Sequence, residues 1–496
     1  MVVITGTPAL RRLLVVLVAL ALGVAGLTLS GVVSAQGGPP PVVTPGATCG
    51  PGARPETGIQ GRVPLADYTS GRVTQGYRCN TRAVAHQGTT GGFKVHRYRD
   101  AAGRTCAFYD STLLFPKDVL YNAAQGLGVV VLDMSRPDRP RKVTTLTSAA
   151  MLSPHESLVV NQKRGLLAAV LGNPFTNVGV LDIYDVRTNC LKPRLLSSTN
   201  TAVLGHESGF APDGNTFYAS STGGQTLAAI DVKNPRKPKR VFFQTGVNYH
   251  GLRLSSDGRT MYVANIGNPK GVRLSSGGLR ILDVSQIQDR RRDPKVKVLA
   301  NLDWANGSLP QVAEPFTKKG RDYLLEVDEF ADFGLDGGPT QASAPVGAAR
   351  IIDIEDPRHP KVISDLRLAV HQPAARAGDQ QLDPGAAIPV QGYAGHYCSL
   401  PRTKNPRIVG CSMILSGLRL FDIRNLRKPR EVAYFNQPTV PGSSSLNPTA
   451  LGAFAMSAPA WDPARRAVWY TDANKGFFVV ALTNGVGKLL HKRKPR

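Results

Sequence analysis

Nine histidines occur among the 496 residues of this chain, and two of them recur in register with a turn. In AVLGHESGFAPDGNTFYASS (202–221) and GVNYHGLRLSSDGRTMYVAN (246–265), His206 and His250 each stand seven residues before the Asp of an Asp-Gly pair. Measured to the apolar strand that follows, His96, His206 and His250 precede it by 10 residues, His155 by 11 and His396 by 12. Five of the nine histidines therefore hold one place in a repeating unit. In two further copies that place falls near Glu314, in QVAEPF, and near Ser457 or Ala458. Neutral imidazole is a ligand for copper, zinc, iron and nickel, and several imidazoles brought together without a thiolate suit a borderline divalent ion. The candidate ligands are His155, His206, His250 and His396, with His96 and Glu314 beside them. Glu156 and Glu207 directly follow two of these histidines. On a regular strand they point to the opposite face, so they are expected to bridge to a neighbouring unit and not to bind metal. His86, His359, His371 and His491 fall in loops or the tail and are expected to face solvent.

The units that must position these histidines are legible as a second recurring phrase: GLGVVVLDMSRPDRPRKV, VGVLDIYDVRTNCLKPRLL, TLAAIDVKNPRKPKRV, GLRILDVSQIQDRRRDPKVKV, GAARIIDIEDPRHPKVI and GLRLFDIRNLRKPREV. Each is a short β-branched run, an Asp, a Pro-containing turn and another short apolar run, which predicts two antiparallel strands. The shared Asp falls at Asp133, Asp185, Asp231, Asp283, Asp353 and Asp422, at intervals of 52, 46, 52, 70 and 69 residues, and a degenerate seventh copy follows near Ala481. With the histidine strand and strands such as TFYAS and TMYVAN, each copy supplies four strands. Seven such copies predict an all-β, seven-bladed β-propeller of four-stranded antiparallel blades. The first strand of a blade is the innermost, so a register repeated in sequence becomes a ring of side chains around the central channel. A water-filled channel would also tolerate such histidines as simple solvated groups. The two long intervals contain the insertions VDEFADFGLDGGPTQASAPVG and VHQPAARAGDQQLDPGAAIPVQ, expected to project from one rim.

The phrases GLRILDVS, GLRLFDIR and GVVVLDMS resemble LVIVD repeats of exported bacterial propeller proteins, and APDGNTFYASS and SSDGRTMYVAN are similar to the YVTN type of propeller repeat. The likeness covers about residues 93 to 490 and implies the fold; the motif Asp and Pro are structural, and no chemistry follows from them. In broad architecture and His-bearing inner strands the chain also resembles the propellers of the selenium-binding protein and methanethiol oxidase group. That resemblance implies copper in the channel, although the Cys motif of the group is not found.

At the N-terminus, Arg11 and Arg12 precede an apolar run from Leu13 to Val33 and the sequence VVSAQ, which reads as a signal peptide (1–35) or an uncleaved signal anchor. A Pro/Gly-rich leader, flexible from about Gln36 to Gly58, belongs to an N-terminal extension reaching residue 92; the propeller is expected over 93–490 and a basic tail over 491–496. The protein is thus expected to be secreted or associated with the cell envelope. Six cysteines without a Cys-x-x-Cys pair favour disulfides in an oxidising compartment. Cys398 and Cys411 flank SLPRTKNPRIVG, which reads as a hairpin tip and predicts their pairing. Cys79 with Cys106 is a second candidate pair, and Cys49 and Cys190 are left unassigned.

The 60 Lys and Arg against 35 Asp and Glu give a formal net charge of +25. This charge is scattered through turns without interleaved aromatics, which argues against nucleic acid and for either a solvated basic surface or contact with anionic cell-envelope polymers or lipid head groups. No nucleophile elbow, P-loop, dinucleotide fingerprint or zinc-protease helix is present, so no catalytic residue is assigned. Two functional readings remain: an exported propeller that binds an unknown protein or small-molecule ligand at one rim, with one transition metal ion in the channel, or a copper-dependent oxidoreductase using the channel histidines.

Overall fold

The computed structural model describes residues 42–491 apart from 112–125, 173–177, 268, 271–272, 275–276, 305–308, 330–345, 377–391 and 440–451. The expected signal peptide and most of both long insertions lie outside the described residues. Among those residues the chain forms seven antiparallel sheets of four or five strands arranged as the blades of a propeller, and one separate two-stranded hairpin. Blade one consists of Val95–Arg99, Thr105–Asp110, Val129–Asp133 and Arg141–Leu146. The innermost strands of blades two to seven are Val159–Asn161, Gly209–Phe210, Tyr249–Leu254, Leu309–Lys318, Tyr397–Ser399 and Ala460–Asp462.

The apolar runs are continuous because every blade is buried on both faces. In blade one, Val129 and Val131 join Leu167 and Tyr184 of blade two, whereas Val130 and Leu132 join Trp469 and Phe477 of blade seven. In blade three, Phe217 and Ala219 face blade two, and Tyr218 faces Leu252 and Met261 of blade four. The recurring Asp closes the outer hairpin. Oδ1 of Asp133, Asp185, Asp231, Asp283, Asp353 and Asp422 accepts the backbone N–H two residues on, at 2.8–3.1 Å. That is the short local bond that makes Asp a turn residue.

The N-terminal part departs from the sequence reading, which started the ring at residue 93 behind a flexible leader. Thr81–Gln87 is the outermost strand of blade seven, paired with Gly476–Leu482. The ring is thus closed by strands from both ends of the chain. Tyr77–Cys79 adds a fifth strand outside Arg430–Asn436 of blade six. Upstream, Glu56 reaches the buried Arg419 of blade six, which also pairs with Glu431 at 3.1 Å. A Pro/Gly-rich composition described the lack of regular secondary structure in this segment but not the docking supplied by partners hundreds of residues away.

Three disulfides connect Cys49 with Cys79, Cys106 with Cys190, and Cys398 with Cys411, and they point to an extracytoplasmic protein. Cys398 and Cys411 stand directly opposite each other on adjacent strands, as the hairpin predicted. The Cys79–Cys106 pairing is corrected: Cys79 lies at the blade-six edge beside Cys49, and Cys106 faces the blade-two turn that carries Cys190. Among the described residues no helix is long and apolar enough to cross a membrane.

Candidate metal centre

His155, His206 and His396 lie where the chain enters the inner strand of blades two, three and six. His250 lies within the inner strand of blade four, where the pairing register slips between Tyr249 and Leu252. Backbone bonds fix the approach: the His206 N–H donates to the Ser220 carbonyl at 2.9 Å and that of His396 to Ser412 at 3.0 Å. The rings are then oriented from behind. His250 Nδ1 donates to the Gln311 carbonyl at 3.1 Å, His396 Nδ1 donates to the Met456 carbonyl at 2.6 Å, and His206 Nδ1 bonds the Thr222 hydroxyl. A carbonyl only accepts, so in His250 and His396 the proton sits on Nδ1 and Nε2 is turned to the axis, the orientation that metal-binding histidines require.

Four Nε2 atoms and two carboxylates meet there. His155 Nε2 lies 3.0 Å from His206 Nε2. Glu156 Oε2 is 3.4 Å from His206 Nε2 and 3.6 Å from His250 Nε2, and its Oε1 is 3.2 Å from His396 Nε2. Glu329 places Oε1 at 3.1 Å from His250 Nε2 and Oε2 at 3.3 Å from His396 Nε2. The ligand atoms of His155, Glu156 and His206, and again those of Glu156, Glu329 and His396, lie within 4.8 Å of one another. Phe93 fills the corresponding level of blade one, its ring centroid 5.7 Å from His155 and 5.3 Å from His396.

Burial and mutual charge set the protonation of the cluster. Burial would raise the Glu156 carboxyl, but His250, His206 and His396 outweigh it and hold it well below the usual range; Glu329 is lowered in the same way by His250 and His396. Burial lowers His155 and His206, reinforced by neighbouring imidazoles. For His250 and His396 the two carboxylates overcome burial, raising His250 and pushing His396 up to about 9. The two carboxylates thus favour the protonated form of His250 and His396.

Below this level the channel holds a second network. Glu207 bonds Lys94 of blade one and accepts two bonds from Arg253 of blade four at 2.9 Å, and Arg253 Nε reaches Glu314 of blade five at 2.7 Å. The Lys94 ammonium lies 3.8 Å from the centre of the Tyr397 ring, and burial lowers its pKa against the pull of Glu207. A cavity of about 190 Å³ lined by His96, Glu207, Arg253, Glu314 and Ser399 adjoins this network. A larger concavity of about 450 Å³ between the outer strand of blade three and a blade-four turn holds none of these groups.

Four of the six candidate ligands therefore converge, and two do not. His96 lies lower in the channel, with Nε2 bonded to the Leu158 carbonyl at 2.8 Å, and burial lowers its pKa to about 4. Glu314 is turned to Arg253, and the cluster level of blade five is occupied by Gln311 instead. Blade five has a 10-residue inner strand with a bulge at Gln311, so counting back from the turn misplaces the level. In blade seven, Ser457 Oγ accepts the Thr471 N–H, and Met456 supplies the carbonyl for His396.

Glu156 overturns the alternation argument. His155 and Glu156 have φ of 37° and 69°, a left-handed kink that brings two successive side chains to one side. Glu207, with no such kink, bridges blades as expected. Glu329 was missed because it ends the second strand of blade five, outside the repeated position; its only signal is an acidic residue closing the apolar strand DYLLEVDE. Of the histidines expected in solvent, His359 and His491 are exposed. His86 is exposed but lies in the closing strand, and His371 is buried, bonded through Nε2 to the Tyr393 carbonyl at 2.9 Å.

No protein-family model matches the chain, and no curated protein matches it. Solved structures that resemble it include hydrazine synthase of Kuenenia stuttgartiensis, 11% identical with a TM-score of 0.49, the likeness spanning 80% of this chain and 96% of that one. The β-propeller domain of Myceliophteria thermophila Cps50 (Swd1) is 11% identical with a TM-score of 0.48, over 81% and 99% of the two chains. A periplasmic gluconolactonase of Pseudomonas aeruginosa is 12% identical with a TM-score of 0.46, over 71% and 87%. These likenesses carry no argument about the channel.

Proposed function

We propose that this protein is an extracytoplasmic metalloprotein whose propeller channel binds a transition metal and presents it to a small substrate. The observation that carries this reading is the convergence of four imidazole Nε2 atoms and two carboxylates, with the rings of His250 and His396 fixed from behind by backbone carbonyls. A merely wet channel would not require orientation of that kind. The resemblance to LVIVD and YVTN repeats supports an exported propeller, and the resemblance to methanethiol oxidase propellers is the argument for copper. The two carboxylates shift the preference: mixed imidazole and carboxylate ligands suit iron, manganese or zinc at least as well. The metal would supply redox or Lewis-acid chemistry, while Lys94, Arg253 and Glu207 shape the approach from the cavity. Protein purified without a histidine tag is expected to contain at least one such ion per chain by elemental analysis. Replacing His206 and His250 together with Ala should abolish uptake while the β circular dichroism persists. Absence of stoichiometric metal after incubation with iron, manganese, zinc or copper would reduce the cluster to a buried ion-pair network and leave a binding scaffold.

We further propose a partner surface on an argument from topology. In an antiparallel meander the first and third hairpins of a blade share an edge, so the charges scattered through the sequence gather on one face. Arg136 and Arg139, Lys233, Arg236 and Lys237, and Arg427 and Lys428 are exposed at those tips. This face is suited to an anionic envelope surface held by salt-sensitive attraction. Cosedimentation with vesicles containing anionic lipid, lost in high salt and absent with neutral vesicles, is the expected result. Equal binding to neutral vesicles, or none at low salt, would refute it.

A further inference from the structure

We infer that the channel cluster holds two metal ions bridged by Glu156. This rests on the channel being a metal centre at all, and it specifies how the donors are divided. Four imidazole nitrogens and four carboxylate oxygens face the axis, whereas one transition ion takes about four to six ligands. A single ion would leave buried donors unused.

The donors already fall into two sets: His155, Glu156 and His206 form one, and Glu156, Glu329 and His396 form the other. Glu156 is the shared member, and its oxygens diverge. Oε2 faces His206 and His250 at 3.4 and 3.6 Å, while Oε1 faces His396 at 3.2 Å. Glu329 is split in the same manner between His250 and His396. A carboxylate whose two oxygens face different imidazoles can span a pair of ions about 3.5–4 Å apart, the separation usual in two-metal sites.

Two independent features point the same way. Glu156 Oε2 is buried and accepts no close hydrogen bond, its nearest imidazole nitrogens lying 3.4 and 3.6 Å away, so it keeps a lone-pair direction that an ion would fill. The left-handed backbone at His155 and Glu156 is unfavourable for both residues and serves to bring a histidine and the next carboxylate to one side. Backbone strain of this kind persists where the surrounding structure enforces it, commonly at functional sites. A centre of histidines alone would need His155 in place but not Glu156.

The test is chelation of the full protein, reloading with Mn(II) alone, and parallel elemental analysis and electron paramagnetic resonance. The expected result is two Mn(II) per chain with an exchange-coupled spectrum. Glu156→Gln should halve the stoichiometry and remove the coupling while circular dichroism stays unchanged; Glu329→Gln is the second variant should the first fail to fold. One Mn(II) per chain at saturation, or two with uncoupled signals, would overturn the bridged pair and leave the metal reading intact. No uptake of Mn(II), iron, zinc or copper would overturn both. A coupled pair that survives in Glu156→Gln would overturn Glu156 as the bridge.

Discussion

The His250 imidazole donates to the Gln311 carbonyl at 3.1 Å, and the Gln311 side chain donates to Glu156 Oε1 at 2.9 Å, so one residue of blade five positions a ring of blade four and a carboxylate of blade two. Gln311→Ala keeps the carbonyl but removes the amide. Outer hydrogen-bond partners of this kind typically change metal affinity by about 10–100-fold. Competition against a chelator is expected to show such a loss, and an affinity within twofold of the native protein would contradict it. Gly251 lies at the same contact: a Cβ there would sit 2.2 Å from the Gln311 oxygen. Gly251→Ala is therefore expected to lower both affinity and thermal stability, the latter by about 1–3 kcal/mol as for an overpacked core.

Ring closure depends on Thr81–Gln87. A chain starting at residue 42 should unfold cooperatively. A chain starting at residue 89 leaves Gly476–Leu482 with an open edge and Arg419 without Glu56. Open edges invite aggregation, and Arg419 keeps only Glu431 of its two carboxylate partners. Loss of soluble, cooperatively melting protein is the expected outcome, measured by light scattering and thermal unfolding. Equal melting of the two chains would show that the closing strand is dispensable.

His96 gives a pH dependence with a definite sign. Its folded pKa is lowered to about 4, by burial first of all, so the unfolded chain binds its proton more readily. A depressed histidine contributes no penalty above the unfolded value of about 6.5 and opposes folding progressively as pH falls from there toward 4. The native protein is therefore expected to lose roughly 3 kcal/mol relative to His96→Gln across that window, since each pH unit corresponds to about 1.4 kcal/mol. Denaturant titrations of the two proteins between pH 7 and pH 4 measure this difference; a constant offset would contradict it.

The Cys106–Cys190 bridge joins the second strand of blade one to the outer turn of blade two and closes a loop of sequence separation 84. By loop-closure entropy such a bridge stabilises by about 4.5 kcal/mol. Replacing both cysteines with Ser should shift the denaturant midpoint accordingly while leaving metal content unchanged. Non-reducing peptide mapping should recover all three pairs, and a Cys79–Cys106 peptide would mean that the N-terminal segment docks elsewhere.

The sequence by itself determined the repeated unit. Short β-branched apolar runs, an Asp that caps its own turn, and prolines that forbid helix are local properties, and local properties survive in a string of letters. They also determined the common place of His155, His206, His250 and His396, since that place is counted within one blade. The Cys398–Cys411 pair was legible for the same reason.

Only the tertiary structure decided what depends on several blades at once. Glu329 comes from a second strand, Gln311 from a bulged one, and Glu156 from a left-handed kink that period-two alternation does not describe. Closure by Thr81–Gln87 and the Cys49–Cys79 and Cys106–Cys190 pairs join segments whose proximity is set by packing around the ring. The gathering of basic turns on one face follows from the direction of each strand and not from its composition. A channel site is a meeting of separate strands, so its outline is written in the repeat while its chemistry is completed by residues that break the repeat.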